Sequence, residues 1–246
     1  MAYSTISKPG LHFNTITYTG NGGTQALTGV GFQPDWVWIK SRSVAKDHMV
    51  FDVVRGVQKS IRPNATTAED NSSEYLTTFG TDGFTLGGNG KTNQNSATYA
   101  AWNWKAGNSQ GSSNTDGSIN TTYTSVNTTA GFSISSYTGT GSNATVGHGL
   151  GAAPKMIIFK ETNGTRNWRV YHEKMGNAKV MYLNTTSAEV SDSTAFYSTT
   201  PTSSVFSVGT SGGTNASGST YIAYCFAEKK GYSKFGTYTG NGNADG

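Results

Sequence analysis

The sequence predicts an all-β chain made of two tandem antiparallel β-sandwich modules of a jelly-roll-like kind, and three observations carry that expectation. The first is composition. Among 246 residues only 34% are hydrophobic and 13% charged, whereas 32 are glycine, and Ser, Thr and Asn fill much of the rest. That mixture suits short strands joined by many turns and disfavours helices. The second is an internal repeat at an offset of roughly 120 residues. Tyr18-Thr19-Gly20 and the stretch Gly31 to Lys40 return as Tyr137-Thr138-Gly139 and Leu150 to Lys160. The third is strand-period alternation inside both copies, in segments of four to eight residues bounded by Gly and Asn.

The repeat continues well beyond those stretches. Val50-Phe51-Asp52 matches Val170-Tyr171-His172, and Asn64 with Glu69 matches Asn184 with Glu189. Gly83 to Gly87 matches Val205 to Gly209, and Thr98 to Trp104 matches Thr220 to Phe226. A third copy opens at Phe235-Gly236-Thr237-Tyr238-Thr239-Gly240, from which the sequence leads one to expect a longer natural protein or a pairing of this end with another chain. The expected organisation is an N-terminal arm (1–12), a first sandwich (13–106), a Ser/Asn/Gly linker (107–117), a second sandwich (118–230), and a join with the start of a third repeat (231–246).

In chain order, Phe13 to Thr19 reads as a strand closed by Gly20-Asn21-Gly22-Gly23, where glycine and asparagine accept positive φ. A second strand is expected over Gln25 to Val30. From Asp35 to Lys40, Trp36, Trp38 and Lys40 share one face while Val37 and Ile39 take the other; both faces are largely apolar, so the strand is central. In the second copy Met156 and Ile158 face one way, Ile157 and Phe159 the other. The two copies are expected to hold Trp38 and Phe159 in matching environments.

Met49 to Val54 reads as a strand and Asn64 to Glu69 as one helical turn. Glu74 to Leu76, Gly83 to Leu86 and Ala97 to Lys105 complete the first module. In the second, Ile119 to Val126 is expected to add a hairpin partner to Phe132 to Tyr137.

The formal net charge of +4 comes from 18 Lys+Arg against 14 Asp+Glu, spread thinly, with no basic run longer than Lys229-Lys230. A nucleic-acid groove needs clustered cations beside exposed aromatics, so no nucleic-acid partner is expected. The first residues form no apolar leader and nowhere do about 18 apolar residues run together, so membrane insertion is not expected and the protein reads as soluble and made in a cytoplasm. The single cysteine, Cys225, excludes an intrachain disulfide and reads as a small core filler in a strand.

Neither a metal site nor a cofactor is expected. The histidines at 12, 48, 148 and 172 lack any HExxH spacing, and Gly-x-Ser-x-Gly does not occur. Asp52 and the pair His172-Glu173 are the best polar candidates at a strand end, yet the copies keep aromatics and glycines while changing titratable residues, so no enzyme is expected. The sequons at Asn64, Asn143 and Asn184 reflect composition. Trp102, Trp104 and Tyr224 lie on one face of matching strands and are the candidate aromatic platform for a ligand. Burial between two sheets is the competing expectation for such rings.

Tyr-Thr-Gly-Asn-Gly, Gly31-Phe32-Gln33-Pro34-Asp35-Trp36-Val37-Trp38-Ile39-Lys40, His148 to Ile158 and Tyr221 to Ala227 together resemble tandem-repeat proteins of tailed, often marine, bacteriophages. The resemblance covers nearly the whole chain and brings no catalytic residue. It implies a virion structural protein, a tail fibre, spike or head decoration on the particle surface, with a part in host attachment. Its implied partners are other virion proteins and further copies of itself, a trimer being favoured, with a host surface glycan as a candidate ligand. The alternatives from other classes are a carbohydrate-binding module and a polysaccharide-degrading enzyme.

Overall fold

The central strand expected at Asp35 to Lys40 forms, and its two faces enter two different cores. In the computed structural model, which describes residues 5–243, the first copy supplies β1 (Phe13–Thr19), β2 (Gln25–Thr28), β3 (Trp36–Ser41), β4 (Met49–Asp52) and β5 (Lys59–Ser60). It continues with β6 (Asp70–Asn71), β7 (Leu76–Gly80), β8 (Gly83–Leu86), the helical turn α1 (Gly90–Asn93) and β9 (Thr98–Trp104). The second copy supplies β10 (Tyr123–Asn127), β11 (Phe132–Thr138), β12 (Ala144–Gly147), β13 (Met156–Glu161) and β14 (Arg169–His172). Then come β15 (Lys179–Tyr182), β16 (Val190–Ser191), β17 (Val205–Val208), α2 (Gly212–Asn215) and β18 (Thr220–Phe226).

The chain is all-β, and every ladder between these strands is antiparallel. In the first module the sheet β1-β9-β3-β4 faces the sheet β2-β8-β7; in the second, β10-β11-β18-β13-β14-β15-β16 faces β12-β17. Among the described residues no ladder joins a strand of one module to a strand of the other. Val37, Ile39, Phe51, Tyr99 and Ala101 from one sheet meet Leu27, Phe84 and Leu86 from the other in the first core. Ile157, Phe159, Tyr171, Ala223 and Cys225 meet Val146, Phe206 and Val208 in the second, so Cys225 is the core filler its sequence context suggests.

A third core lies between the modules. The outer faces of the two large sheets pack on each other through Trp36, Val50 and Ile61 on one side and Phe132, Ile134, Ile158, Ile222 and Tyr224 on the other. The molecule is therefore four layers deep, and its two central sheets are covered on both faces. That is why β3 and β13 are apolar at successive positions, where a strand solvated on one face would alternate.

Each module is locked by the same knot. Tyr18 stacks on Tyr99 with centroids 5.0 Å apart, and Tyr137 on Tyr221 at 5.3 Å. The Tyr18 and Tyr137 hydroxyls donate to the carbonyls of Thr92 and Thr214, each at 2.6 Å. Buried Asn93 takes the Asn21 N–H on Oδ1 and gives its Nδ2 protons to Gly23 O and Gly87 O; buried Asn215 does the same with Thr140 N–H, Ser142 O and Gly209 O. The glycine of Tyr-Thr-Gly is required by close approach, because a Cβ at Gly20 or Gly139 would run into the carbonyl oxygen of Gln94 or Ala216. Replacing Asn93 or Asn215 with alanine strands these buried partners, and each change is expected to cost about 2–3 kcal/mol in urea unfolding. A loss below about 0.5 kcal/mol would show the knot to be dispensable.

Several expectations are corrected. Asn64 to Glu69 forms no helical turn: the segment is extended or turn-like, and it leads into β6, which pairs with β5. Trp38 and Phe159 do not match, since Trp38 packs against the inter-module core and Phe159 lies inside the second sandwich. The repeat equivalents are Trp38 with Ile158 and Ile39 with Phe159, and a slip of one residue changes face.

The arm is not free along its length, because Ile6 is buried; its first residues, 1–4, lie outside the described residues. The segment expected to be a linker is pinned, with Asn108 N–H on Asp35 Oδ2, Gln110 Nε2 on Val54 O and Gly107 N–H on Ser125 Oγ.

The β10–β11 hairpin forms, but its first strand starts at Tyr123 and not at Ile119, which instead makes an isolated parallel bridge to Val146. Pairing of β1 with β9 and of β2 with β8 is nested as in a rolled hairpin, but β3 does not pair with β7: β3 lies between β9 and β4, and β7 pairs with β8. The second module has no counterpart of β7. There Pro201, which cannot donate to a ladder, interrupts the corresponding stretch.

Candidate functional site

The seam between the modules closes over most of its area and opens into two clefts, with Trp38 lining both. The alternation of β3 puts Trp36 and Trp38 on the seam face, and the β3–β9 register sets Trp36 opposite Trp104 and Trp38 opposite Trp102. Trp36 is 1% exposed and sits among Trp104 at 4.3 Å, Tyr224 at 4.5 Å and Phe132 at 5.6 Å. Its Nε1 finds no hydrogen-bond acceptor among the described residues.

The first cleft, of about 500 Å³, lies where β1, β9, β11, β13 and β18 meet the C-terminal join. Phe13, Trp38, Trp104, Met156, Phe226 and Phe235 line it, each half-buried. The Lys229–Ser233 bridge folds the join back, and Phe235 comes within 6.4 Å of the rings of both Phe226 and His172. This end is aromatic, with the Tyr232 hydroxyl, Ser233 and exposed Lys234 its polar groups.

The second cleft, of about 560 Å³, mixes polar and apolar side chains and lies between equivalent loops of the two modules. Trp38 Nε1 donates to His48 Nδ1 at 2.8 Å, and His48 N–H donates to Asn64 Oδ1 at 2.9 Å. Trp168, the repeat equivalent of His48, donates its N–H to Asn184 Oδ1 at 2.9 Å. Its indole Nε1 crosses the seam to Arg62 O, also at 2.9 Å. Pro63, Leu183, Thr185 and Thr186 complete the wall.

The candidate platform is corrected in part. Trp104 lines the aromatic cleft, and Trp102 is half-buried farther along β9, outside the residues lining either cleft. Tyr224 is 0% exposed, with its hydroxyl donating to Asp52 Oδ2 at 2.7 Å, so it belongs to the seam and not to a surface. Phe13 and Phe226 carry no site signal in the sequence, whereas the alternating rings Trp36 and Trp38 read as a sugar platform or as buried between two sheets, and Trp36 is buried there. The signal available was the pairing of the Trp36 and Trp104 faces in one sheet.

The polar candidates are structural. Asp52 is buried, with Arg55 Nε at 2.6 Å, the Arg55 N–H at 2.8 Å and the Tyr224 hydroxyl at 2.7 Å. Those three partners occupy both carboxylate oxygens, and no proton acceptor is left facing a cleft. His172 Nδ1 caps the short turn Glu173–Met175 by taking the Lys174 N–H. Glu173 pairs with Lys155 and Lys174; the hydrogen bond from Lys155 leads in holding its carboxyl below the usual range.

Lys160 is wholly buried, and the three protons of its ammonium are shared among four carbonyls within hydrogen-bond distance, of Thr66, Glu161, Gly164 and Arg166. Burial lowers its pKa to about 8. The Thr66 bond crosses the seam, so the lysine serves as a tie. Among the described residues no group of three or more His, Cys, Asp or Glu is placed to hold a metal ion, and no helix is long and apolar enough to cross a membrane.

His148 and His48 link stability to pH. His148 is buried, its Nδ1 takes the Leu150 N–H and its Nε2 faces Thr202 O, and burial lowers its pKa. Burial lowers that of His48 too, with Lys40 adding to the effect. A folded-state value below the ordinary 6.5 means that the unfolded chain takes the proton first, so stability is full above that pH and falls as the pH drops below it. The midpoint of thermal unfolding is expected to fall between pH 7 and pH 5, and less steeply in His148→Gln. An unchanged slope in that variant would remove His148 from the account.

A family model described as a domain of unknown function, DUF7483, matches residues 8–246 and so spans both copies of the repeat. No curated protein and no solved structure matches the chain.

Proposed function

The chain belongs to the DUF7483 family, and on the geometry above we propose that it is a non-enzymatic structural protein of a bacteriophage virion surface, part of a tail fibre, a spike or a head decoration. The observation that carries this reading is the third core. Two sandwiches fixed back to back by Trp36, Phe132, Ile158 and Tyr224 make one stiff block, and repetition of such a block extends a surface while solving its packing only once. The resemblance of the repeated motifs to phage tandem-repeat proteins supports the same reading. In this role the protein assembles with other virion proteins and with copies of itself, a trimer being favoured, and takes part in host attachment.

The test is mass spectrometry of purified particles of the phage that encodes the chain. Peptides from it at the abundance of a structural component are expected. Their absence from intact particles, with the protein present in the infected cell, would overturn the proposal.

A further inference from the structure

The second cleft sets uncharged polar groups beside apolar surface, a composition that suits one class of ligand. None of its lining residues is Asp, Glu, Lys or Arg. An anion would need a cation there and a metal ion would need carboxylates, while a purely apolar ligand would find more contact at the aromatic end. What the cleft offers is one half-buried indole, the His48 imidazole, two side-chain amides and two threonine hydroxyls, with Pro63 and Leu183 adding apolar wall.

Those groups are held in place before any ligand arrives. Trp38 is fixed by its 2.8 Å bond to His48 and by an edge contact with Trp36 at 5.9 Å. Asn64 Oδ1 takes the His48 N–H and Asn184 Oδ1 takes the Trp168 N–H, both at 2.9 Å. Asn64 Nδ2 donates to Asp47 Oδ1 and Asn184 Nδ2 to Asn167 Oδ1, again at 2.9 Å. An amide nitrogen has two protons, so each asparagine keeps one donor beyond these bonds. The asparagines are the same repeat position in the two modules and face one space across the seam, where Thr185 and Thr186 add exposed hydroxyls. Fixed groups lose little entropy on binding.

From this arrangement we infer that the cleft between Trp38, Asn64, Asn184 and Thr186 is a binding site for a neutral saccharide. One C–H face of a sugar ring covers the indole, and its hydroxyls meet the amide donors and the threonine oxygens. The site requires both modules, because neither loop encloses it alone, and it holds whether or not the chain is carried on a particle.

The test is titration of the full chain with maltohexaose, chitohexaose, cellohexaose and mannohexaose, each to about 10 mM, followed by tryptophan fluorescence and ligand-observed NMR. Saturable binding of at least one hexaose is expected, weakened about tenfold or more in Trp38→Ala. Because Trp38 also packs on the seam, Thr186→Arg, at an exposed position, is the second variant; it fills the cleft while leaving the core intact and is expected to abolish binding. Absence of saturable binding by all four sugars would overturn the inference, as would binding that survives Thr186→Arg unchanged.

Discussion

Replacing Trp36 with alanine is expected to lower the unfolding free energy by about 3–5 kcal/mol, the range for emptying a large buried aromatic position. The ring is at the middle of the seam, 1% exposed, and it touches aromatic rings from both modules: Trp38 and Trp104 on its own side, Phe132, Tyr224 and Phe226 on the other. The cavity cannot collapse easily, because both walls are backbone-paired sheets. Trp36→Phe separates packing from polarity. It keeps a ring in the stack and removes the Nε1–H that has no acceptor among the described residues, so its cost is expected to stay below about 2 kcal/mol. Urea denaturation of both variants checks the pair. Equal losses in the two would show that the stack is not what Trp36 contributes.

The second large effect is expected at Arg55. Its side chain is 5% exposed; Nε meets Asp52 at 2.6 Å, Nη1 meets Glu69 at 3.2 Å and Nη2 donates to Val50 O at 3.1 Å. Asp52 has no exposure at all, and its remaining side-chain partner is Tyr224 of the other module. Arg55→Met removes the cation and leaves a buried carboxylate uncompensated, which costs about 3–5 kcal/mol. The double change Asp52→Leu with Arg55→Met removes both charges and is expected to recover part of that loss, since an apolar pair of similar volume avoids the desolvation penalty. If the double variant is less stable than the sum of the two single changes, the ion pair is not the unit that matters.

These two sites also show what was legible in the sequence. Period-two alternation was enough to separate Trp36 and Trp38 from Val37 and Ile39, and the repeat was enough to pair β3 with β13 and β9 with β18. Alternation reports that a face is apolar but not what covers it. The faces carrying Trp104 and Tyr224 therefore leave both a platform and a core open, and the answer depended on their covering one another.

The Asp52 to Tyr224 bond joins residues 172 apart in sequence, a distance over which no local pattern carries information. The asparagine knots were hidden for a different reason. Gly-Lys-Thr-Asn and Gly-Gly-Thr-Asn look like solvent turns, and the one clue to burial was that the asparagine recurs at the repeat offset. The expected turn at Asn64 to Glu69 failed because Asn64 caps the His48 N–H and Glu69 N–H crosses the seam to Thr162 O, both of which hold the backbone extended.

The docking of the modules also explains how the copies diverged. Positions equivalent by repeat but unlike in chemistry, Asp52 with His172 and His48 with Trp168, lie at or beside the seam, where each copy meets the other and not a copy of its own surroundings. Asp52 meets Tyr224 and Trp168 meets Arg62 O. Tyr18 with Tyr137 and Asn93 with Asn215, inside each sandwich, bond to equivalent backbone groups and keep their identity.

The most direct measurement of the back-to-back arrangement is a double-mutant cycle between Asp52→Asn and Tyr224→Phe, read by urea unfolding of the full chain. Modules packed through this seam predict a coupling energy of about 1 kcal/mol or more between the two changes. Additive losses, with coupling indistinguishable from zero, would mean that the hydroxyl and the carboxylate do not meet and would contradict the shared core.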